Sequence, residues 1–128
     1  MRFLTVEDVL NIHASQLERF GGGAGIRTLE MLESAVAQPQ ASFSGEYLHV
    51  GVFEMAAAYL FHIVQNHPFV DGNKRAGLLS ALVFLDLNGE RIGSPDERLY
   101  RLTVAVASGD AGKEEIAALF RVLAKGAS

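Results

Sequence analysis

The side chains of this sequence that could do chemistry together fall in one nine-residue run, His67-Pro68-Phe69-Val70-Asp71-Gly72-Asn73-Lys74-Arg75. An imidazole ordinarily titrates near neutral pH, so a histidine at position 67 can take a proton from a hydroxyl. Asp71, four residues on, is a hard oxygen donor suited to one Mg²⁺ whose other ligands are phosphate and water. Lys74 and Arg75 fall in what reads as the first turn of a helix. Cations there cost roughly 0.3–1 kcal/mol each, because that end already carries the positive pole of the helix dipole. Gly72 lets the backbone come close to a ligand, and the first-turn amides have no partner within the helix. Two cations, a glycine and free amides make an anion cradle, and a phosphate chain is its natural guest. Asn73 either donates its amide to phosphate or fixes the loop. Phe69, apolar between polar neighbours, reads as an anchor of the bend to the core. Taken singly, His67 is a helix terminator, Asp71 an N-cap, and Lys74 with Arg75 a solvated face. Together they break a local rule without evident compensation, which is expected at functional sites.

Such a bend must be held between packed elements, and the apolar spacing predicts them. Val50, Phe53, Ala57, Leu60 and Val64 form one stripe, widened by Tyr59, Phe61 and Ile63, so a long helix is expected from Tyr47 to Asn66. Pro68 disfavours the α region at His67 and ends it. A further helix is expected from Asn73 to Leu87, stopped by Asn88-Gly89. Upstream, Thr5 and Asp8 form a capping box, with Leu4 and Val9 in the staple positions. Val6, Val9, Leu10, His13, Leu17 and Phe20 then recur at helical spacing until Gly21-Gly22-Gly23. A short helix after Thr28 is expected to bury Leu29, Leu32 and Val36 and to stop before Pro39, with Gln40 to Glu46 a loop. Ser94-Pro95-Asp96-Glu97 signals a fifth helix, with Ser94 its N-cap, ending near Gly109. A sixth runs from Lys113 to Ala124. No segment sustains strand alternation, and only Glu90 to Gly93 could be briefly extended. The expected architecture is all-α: a compact six-helix bundle, one domain over residues 1–128, with the active loop between the two central helices.

Composition bounds the function from outside. The 128 residues suffice to bury roughly two-thirds of the unfolded surface. Cysteine is absent, which excludes disulfides, thiolate zinc sites and cysteine nucleophiles. A net charge of −4 speaks against direct nucleic-acid binding through many phosphate contacts. The longest stretch without Asp, Glu, Lys or Arg, Met55 to Val70, has 16 residues and contains His62, Asn66 and His67. That is short of the ~20 needed to cross a bilayer, so no membrane partner is expected. The acids within MRFLTVEDVL are unlike a signal peptide, and a cytoplasmic location is expected. Gly21-Gly22-Gly23-Ala24-Gly25 lacks the Gly-Lys-Ser/Thr of a P-loop and reads as a helix stop and mobile loop. His62 and His67 lie about 140° apart around a helix and do not make a metal pair. His62 reads as a core-edge residue, while His13 and His49 carry no readable signal.

The run HPFVDGNKR resembles the signature of the Fic/Doc superfamily, H-x-F-x-[DE]-[AG]-N-[GK]-R, which constrains seven of nine positions. The segments GGGAGIRT and LESAVAQPQASFSG and the turn DLNG look like the death-on-curing (Doc) toxin branch, so the resemblance covers nearly the whole chain. It implies transfer of a phosphoryl or nucleotidyl group from ATP to a protein hydroxyl. Residue by residue, it implies that His67 is the catalytic base and that Asp71 binds Mg²⁺. Asn73, Lys74 and Arg75 would hold the phosphates, with Gly72 supplying amide access.

Two departures bear on the reaction. AMP-transferring members usually read G-N-G-R-x-x-R, whereas this chain has Lys74 for the glycine and Leu78 for the second arginine. Both resemble the Doc branch and imply a kinase that uses the same cradle with ATP turned round. Self-inhibited members carry an [ST]-x-x-x-E-[GN] helix. The nearest match here, Ser42 to Glu46, is followed by Tyr47 and falls in an expected loop. Restraint is therefore expected from a separate antitoxin, laying an amphipathic helix in a groove near the first helix and the segment after Gly21. The resemblance further implies a toxin of a toxin–antitoxin pair that acts on a translation elongation factor. An AMP transferase and a catalytically silent partner-binding module are the alternatives.

Overall fold

The computed structural model describes residues 1–93 and 96–126. Six helices dominate: α1 (Val6–Phe20), α2 (Leu29–Ala37), α3 (Val52–Asn66), α4 (Asn73–Leu87), α5 (Glu97–Ala107) and α6 (Lys113–Gly126). Between α2 and α3 lie a 3₁₀ turn (Gln38–Gln40) and a two-stranded antiparallel hairpin, β1 (Ser42–Phe43) with β2 (Glu46–Tyr47). The mostly helical architecture stands, and the hairpin is an addition to it. Ser42 to Glu46 thus forms strands and a turn where a loop was expected.

The first helix starts as its sequence predicts. The Asp8 N–H donates to the Thr5 hydroxyl at 3.1 Å, and the Thr5 N–H donates to the Asp8 carboxylate at 2.8 Å. Thr5 and Asp8 so satisfy two terminal donors reciprocally. Ahead of this cap, the Leu4 N–H donates to the buried Tyr59 hydroxyl at 2.8 Å. Burial pushes that phenol's pKa up to about 12. At the other end, Asn88 bonds the backbone N–H and C=O of Arg2 at 2.8 and 3.0 Å, tying the chain's start to the end of α4.

Three expected details differ. Helix α3 begins at Val52 and not at Tyr47, because the hairpin takes the preceding residues and Gly51, at φ 109°, turns the chain into the helix. Val50 therefore lies outside the buried stripe and is 78% exposed. Leu29 is exposed at the start of α2, while Leu32 and Val36 are buried as expected. Ser94, the expected cap of α5, and Pro95 lie outside the described residues. Asp96 is the N-cap, accepting from the Arg98 N–H at 2.8 Å.

The central pair α3 and α4 is rich in small buried residues and packs closely at Gly77. Ala56, Ala57 and Ala58 on α3 and Ala76, Gly77 and Ala81 on α4 are all buried. A Cβ on Gly77 would lie 2.9 Å from Val64 Cγ2 and 3.2 Å from the Leu60 carbonyl oxygen. Helix α6 is fastened to α3 by polar groups. Lys113 Nζ lies 3.2 Å from His49 Nε2 and 3.3 Å from His62 Nε2, and Arg121 pairs with Glu54. An ammonium can only donate, so both Nε2 atoms accept and both rings are neutral. Burial first, then Lys113 and His49, pushes the His62 pKa down to about 4.

Two tests follow from this packing. Alanine at position 77 gains about 1 kcal/mol of helix propensity but overpacks the helix contact, which costs about 1–3 kcal/mol. Gly77→Ala should therefore lower the unfolding free energy in denaturant titration, and a stabilised variant would show that the helices part freely. His62 has a folded pKa below its unfolded value, so the unfolded chain takes up a proton that the folded protein refuses. Its contribution to stability is full above about pH 6.5 and is lost as pH falls toward 4. The difference in Tm between pH 7 and pH 5 should be smaller in His62→Gln than in the parent. An unchanged difference would remove His62 from the pH response.

Candidate active site

The bend between α3 and α4 is built around His67. This residue is the C-cap of α3 in the left-handed region, φ 49° and ψ 54°. For a non-glycine residue that conformation costs about 1–2 kcal/mol and persists only when neighbours enforce it. Here they do. The His67 N–H donates to the Ile63 carbonyl at 3.2 Å. Arg27 donates from Nε to the His67 carbonyl at 2.8 Å and from Nη2 to the Asn66 carbonyl at 3.1 Å. A guanidinium thus closes the negative end of α3. The His67 imidazole is exposed and makes no hydrogen bond among the described residues.

The next four residues are bound to the segment after α1. The Arg27 and Thr28 N–H groups donate to the Pro68 carbonyl at 2.6 and 3.1 Å. Val70 N–H donates to the Gly25 carbonyl at 3.0 Å, and Ile26 and Phe69 form an isolated bridge. Phe69 is fully buried. Asn73 clamps it from both sides, Oδ1 accepting from the Phe69 N–H at 2.9 Å and Nδ2 donating to the Phe69 carbonyl at 3.0 Å. Of the two readings open for Asn73, loop fixing is what its side chain does here, with Oδ1 and one amide hydrogen engaged on Phe69.

Gly72, at φ 80° and ψ 18°, is the N-cap of α4 and offers no capping side chain. Asp71 thus stands one residue ahead of the cap. Its two oxygens accept from Gly72 N–H at 2.8 Å and Gly23 N–H at 3.2 Å. These bonds, in the reverse order of weight, hold the Asp71 carboxyl below the usual range, with Arg75 and Lys74 adding to them. The carboxylate is exposed and charged. The glycine run stops α1 at Gly21, as expected, and rests on Asp71 and Val70. A Cβ on Gly22 would come within 2.8 Å of Asp71 Oδ2.

A cleft of about 230 Å³ gathers Val64, His67, Val70, Asp71, Gly72, Asn73, Lys74 and Ala107. Helix α5 is held at this cleft by Gln65, whose amide donates to the Val106 carbonyl at 2.6 Å. The volume is below the ~300–1,000 Å³ usual for drug-sized ligands and suits a phosphate chain better than a whole nucleotide. Arg75 is absent from the lining. Its guanidinium lies 5.0 Å from the Phe20 ring centroid and 3.4 Å from the Gly21 carbonyl oxygen. The bend thus brings His67, Asp71 and Lys74 together at the cleft, while Arg75 rests against Phe20 and Gly21.

Sequence reasoning missed His13 and Arg27. His13 stood in the apolar stripe of α1, and a polar residue at a core position needs a partner. That signal was present, but the partner, the Asp71 carbonyl at 2.7 Å, is 58 residues away. Nothing local marked Arg27.

A family model described as the Fic/DOC family matches residues 3–85. The chain is 33% identical over 123 residues to "Protein kinase doc" of Escherichia phage P1, covering 96% of each chain. It is 36% identical over 118 residues to "Toxin Doc" of Mycolicibacterium smegmatis strain ATCC 700084 / mc(2)155, covering 91% of this chain and 88% of that one. The chain belongs to the Fic/Doc family, on its Doc branch. No helix among the described residues is long and apolar enough to cross a membrane.

The Asn73 clamp is open to a direct check. Asn73→Ala leaves the buried Phe69 N–H without an acceptor and should lower the unfolding free energy by about 1–3 kcal/mol in denaturant titration. A loss below about 0.5 kcal/mol would show that other contacts hold the loop.

Proposed function

We propose that this chain is the toxin of a toxin–antitoxin pair and an enzyme that transfers the γ-phosphate of ATP to a hydroxyl of a protein, an elongation factor of translation being the substrate class. The observation that carries the chemistry is the meeting of a free imidazole, a charged carboxylate and Lys74 in one cleft at the uncapped start of α4. The names of the two relatives, a protein kinase and a toxin, support the same reading.

In the proposed reaction the substrate hydroxyl oxygen attacks the γ-phosphorus. The bond from that phosphorus to the β–γ bridging oxygen breaks, ADP leaves, and the hydroxyl proton passes to His67. Catalysis of this kind is mostly positioning and charge neutralisation. Lys74 and the first-turn amides from Asn73 on hold the phosphates, and the Gly72 N–H joins them by giving up its bond to Asp71. Arg75 joins them by leaving Gly21, a contact near the long limit for a hydrogen bond. Among the described residues no group of three or more His, Cys, Asp or Glu could hold a metal alone. Asp71 accepts one amide per oxygen and keeps free lone pairs toward solvent, which fits a Mg²⁺ shared with phosphate and water. When bound, Mg²⁺ supplies neutralisation of phosphate charge.

Two features favour γ-transfer. Lys74 occupies the position of a flexible glycine, and Leu78, partly buried against the core, gives no second guanidinium for an adenylylation-type triphosphate. Restraint is assigned to an antitoxin helix. The exposed apolar side chains of Phe20, Ile26, Leu29, Met31 and Val70, on α1, α2 and the segments beside the motif, support a docking surface there.

Incubation with a bacterial lysate and ATP labelled separately at α and γ tests the reaction. Protein labelled from the γ position is expected, whereas label from the α position alone would make the chain an AMP transferase. His67→Gln should keep the parent Tm and lose about 10²–10⁴ in rate. Asp71→Asn should make transfer insensitive to added Mg²⁺ at a strongly reduced rate. No label of either kind in the antitoxin-free chain would leave the partner-binding module.

A further inference from the structure

We propose that His13 is a positioning residue for the Asp71–Gly72 peptide, holding the Gly72 amide against the Asp71 carboxylate and so fixing that carboxylate at the cleft. The proposal rests on the reading of Asp71 as the carboxylate that meets the metal. His13 lies on α1, 5% exposed. Its Nε2 is 2.7 Å from the Asp71 carbonyl oxygen. A carbonyl can only accept, so Nε2 carries the hydrogen and donates it. The ring also stacks on Phe69, with centroids 3.7 Å apart and planes at 4°. A Cβ on Gly72 would sit 3.4 Å from the same Nε2.

The geometry explains why the loop needs an outside anchor. The peptide unit is planar, so holding its oxygen sets the direction of its N–H. In the Asp71–Gly72 unit, His13 holds the oxygen, and the Asp71 carboxylate receives the N–H at 2.8 Å. On the helix side of this unit stands a glycine in the left-handed region, which offers little resistance to a peptide rotation. The Asn73 clamp acts on Phe69, and the Gly25 carbonyl acts on Val70. Neither reaches the Asp71 carbonyl. A residue serving only to fill the core at position 13 would be apolar, since a buried imidazole costs free energy unless its polar atoms are paired.

Two variants separate the hydrogen bond from the ring. His13→Phe keeps a ring against Phe69 and removes the donor. His13→Gln removes the ring and returns a donor near the place of Nε2. The readouts are amide hydrogen exchange at Gly72 in metal-free protein, Mn²⁺ binding in the presence of ATP followed by electron paramagnetic resonance, and Tm. Losing a partner that orients a metal-binding group typically costs 10–100-fold in affinity. His13→Phe should therefore speed Gly72 exchange and weaken Mn²⁺ binding by about tenfold or more each, with a cooperative unfolding transition retained. His13→Gln should restore both to within about threefold of the parent. Parent-like exchange and Mn²⁺ binding in His13→Phe would overturn the proposal, as would equal losses in both variants, which would assign the effect to packing. In the unaltered protein the His13 Nε2–H should appear as a slowly exchanging imidazole proton, and its absence would overturn the bond whether or not the phenylalanine variant folds. If Gly72 exchange responds as expected while the parent binds no Mn²⁺ with ATP, the metal reading of Asp71 fails and the positioning of the loop stands.

Discussion

Helix α4 begins without a capping side chain at its N-cap. Its N-cap is a glycine, its first turn carries no acid, and the two residues after Asn73 are cations. A helix start of this kind is electrostatically unfavourable by itself and becomes favourable when an anion arrives. The cost has to be offset in the absence of a ligand, and the surrounding structure does this from three directions. Asp71 places its carboxylate against the Gly72 N–H, Asn73 locks Phe69, and the glycine run after α1 donates Gly23 N–H to the other Asp71 oxygen. Much of what lies outside the central helix pair can be understood as support for that one helix end.

The same logic accounts for the backbone of His67. A left-handed residue before a proline is held where a free chain would avoid it, and Arg27 bonds the two last carbonyls of the α3 end to keep it there. The result is an exposed imidazole that makes no hydrogen bond among the described residues. Such an imidazole suits the role proposed for His67, because a base must come within hydrogen-bond reach of its proton when substrate binds. Earlier along the same helix, at His62, lies the contrasting use of histidine. His49 and His62 are kept neutral by burial and by Lys113, and they serve as acceptors that fasten α6 to α3.

Six helices were legible in the sequence because their signals are local. The Thr5–Asp8 capping box, the apolar stripes of α3 and α4 and the stops at Gly21 and Asn88-Gly89 each act over a few residues, where propensity and periodicity decide. The errors came where two local signals compete. Val50 matched the helical period of α3, but Gly51 and the hairpin separate it from the helix. Leu29 matched the stripe of α2, but it is the first residue of the helix and remains exposed.

For the site, the sequence by itself determined which groups are present and that they share one bend: His67, Asp71, Gly72, Asn73, Lys74 and Arg75 lie within nine residues, so a single turn must gather them. Tertiary structure alone decided what each of them is free to do. Asn73 turns inward because Phe69 is buried and its backbone needs partners. Arg75 turns away from the cleft because the aromatic ring of Phe20 and the carbonyl of Gly21 meet it at the end of α1. His13, 58 positions before Asp71, carries the Asp71 carbonyl because α1 packs against α4. The physical reason is one of range. Residue type and spacing set charge, helix period and capping over a few positions, whereas the partner of a buried polar group is chosen by whichever distant segment the packed core brings within 3 Å.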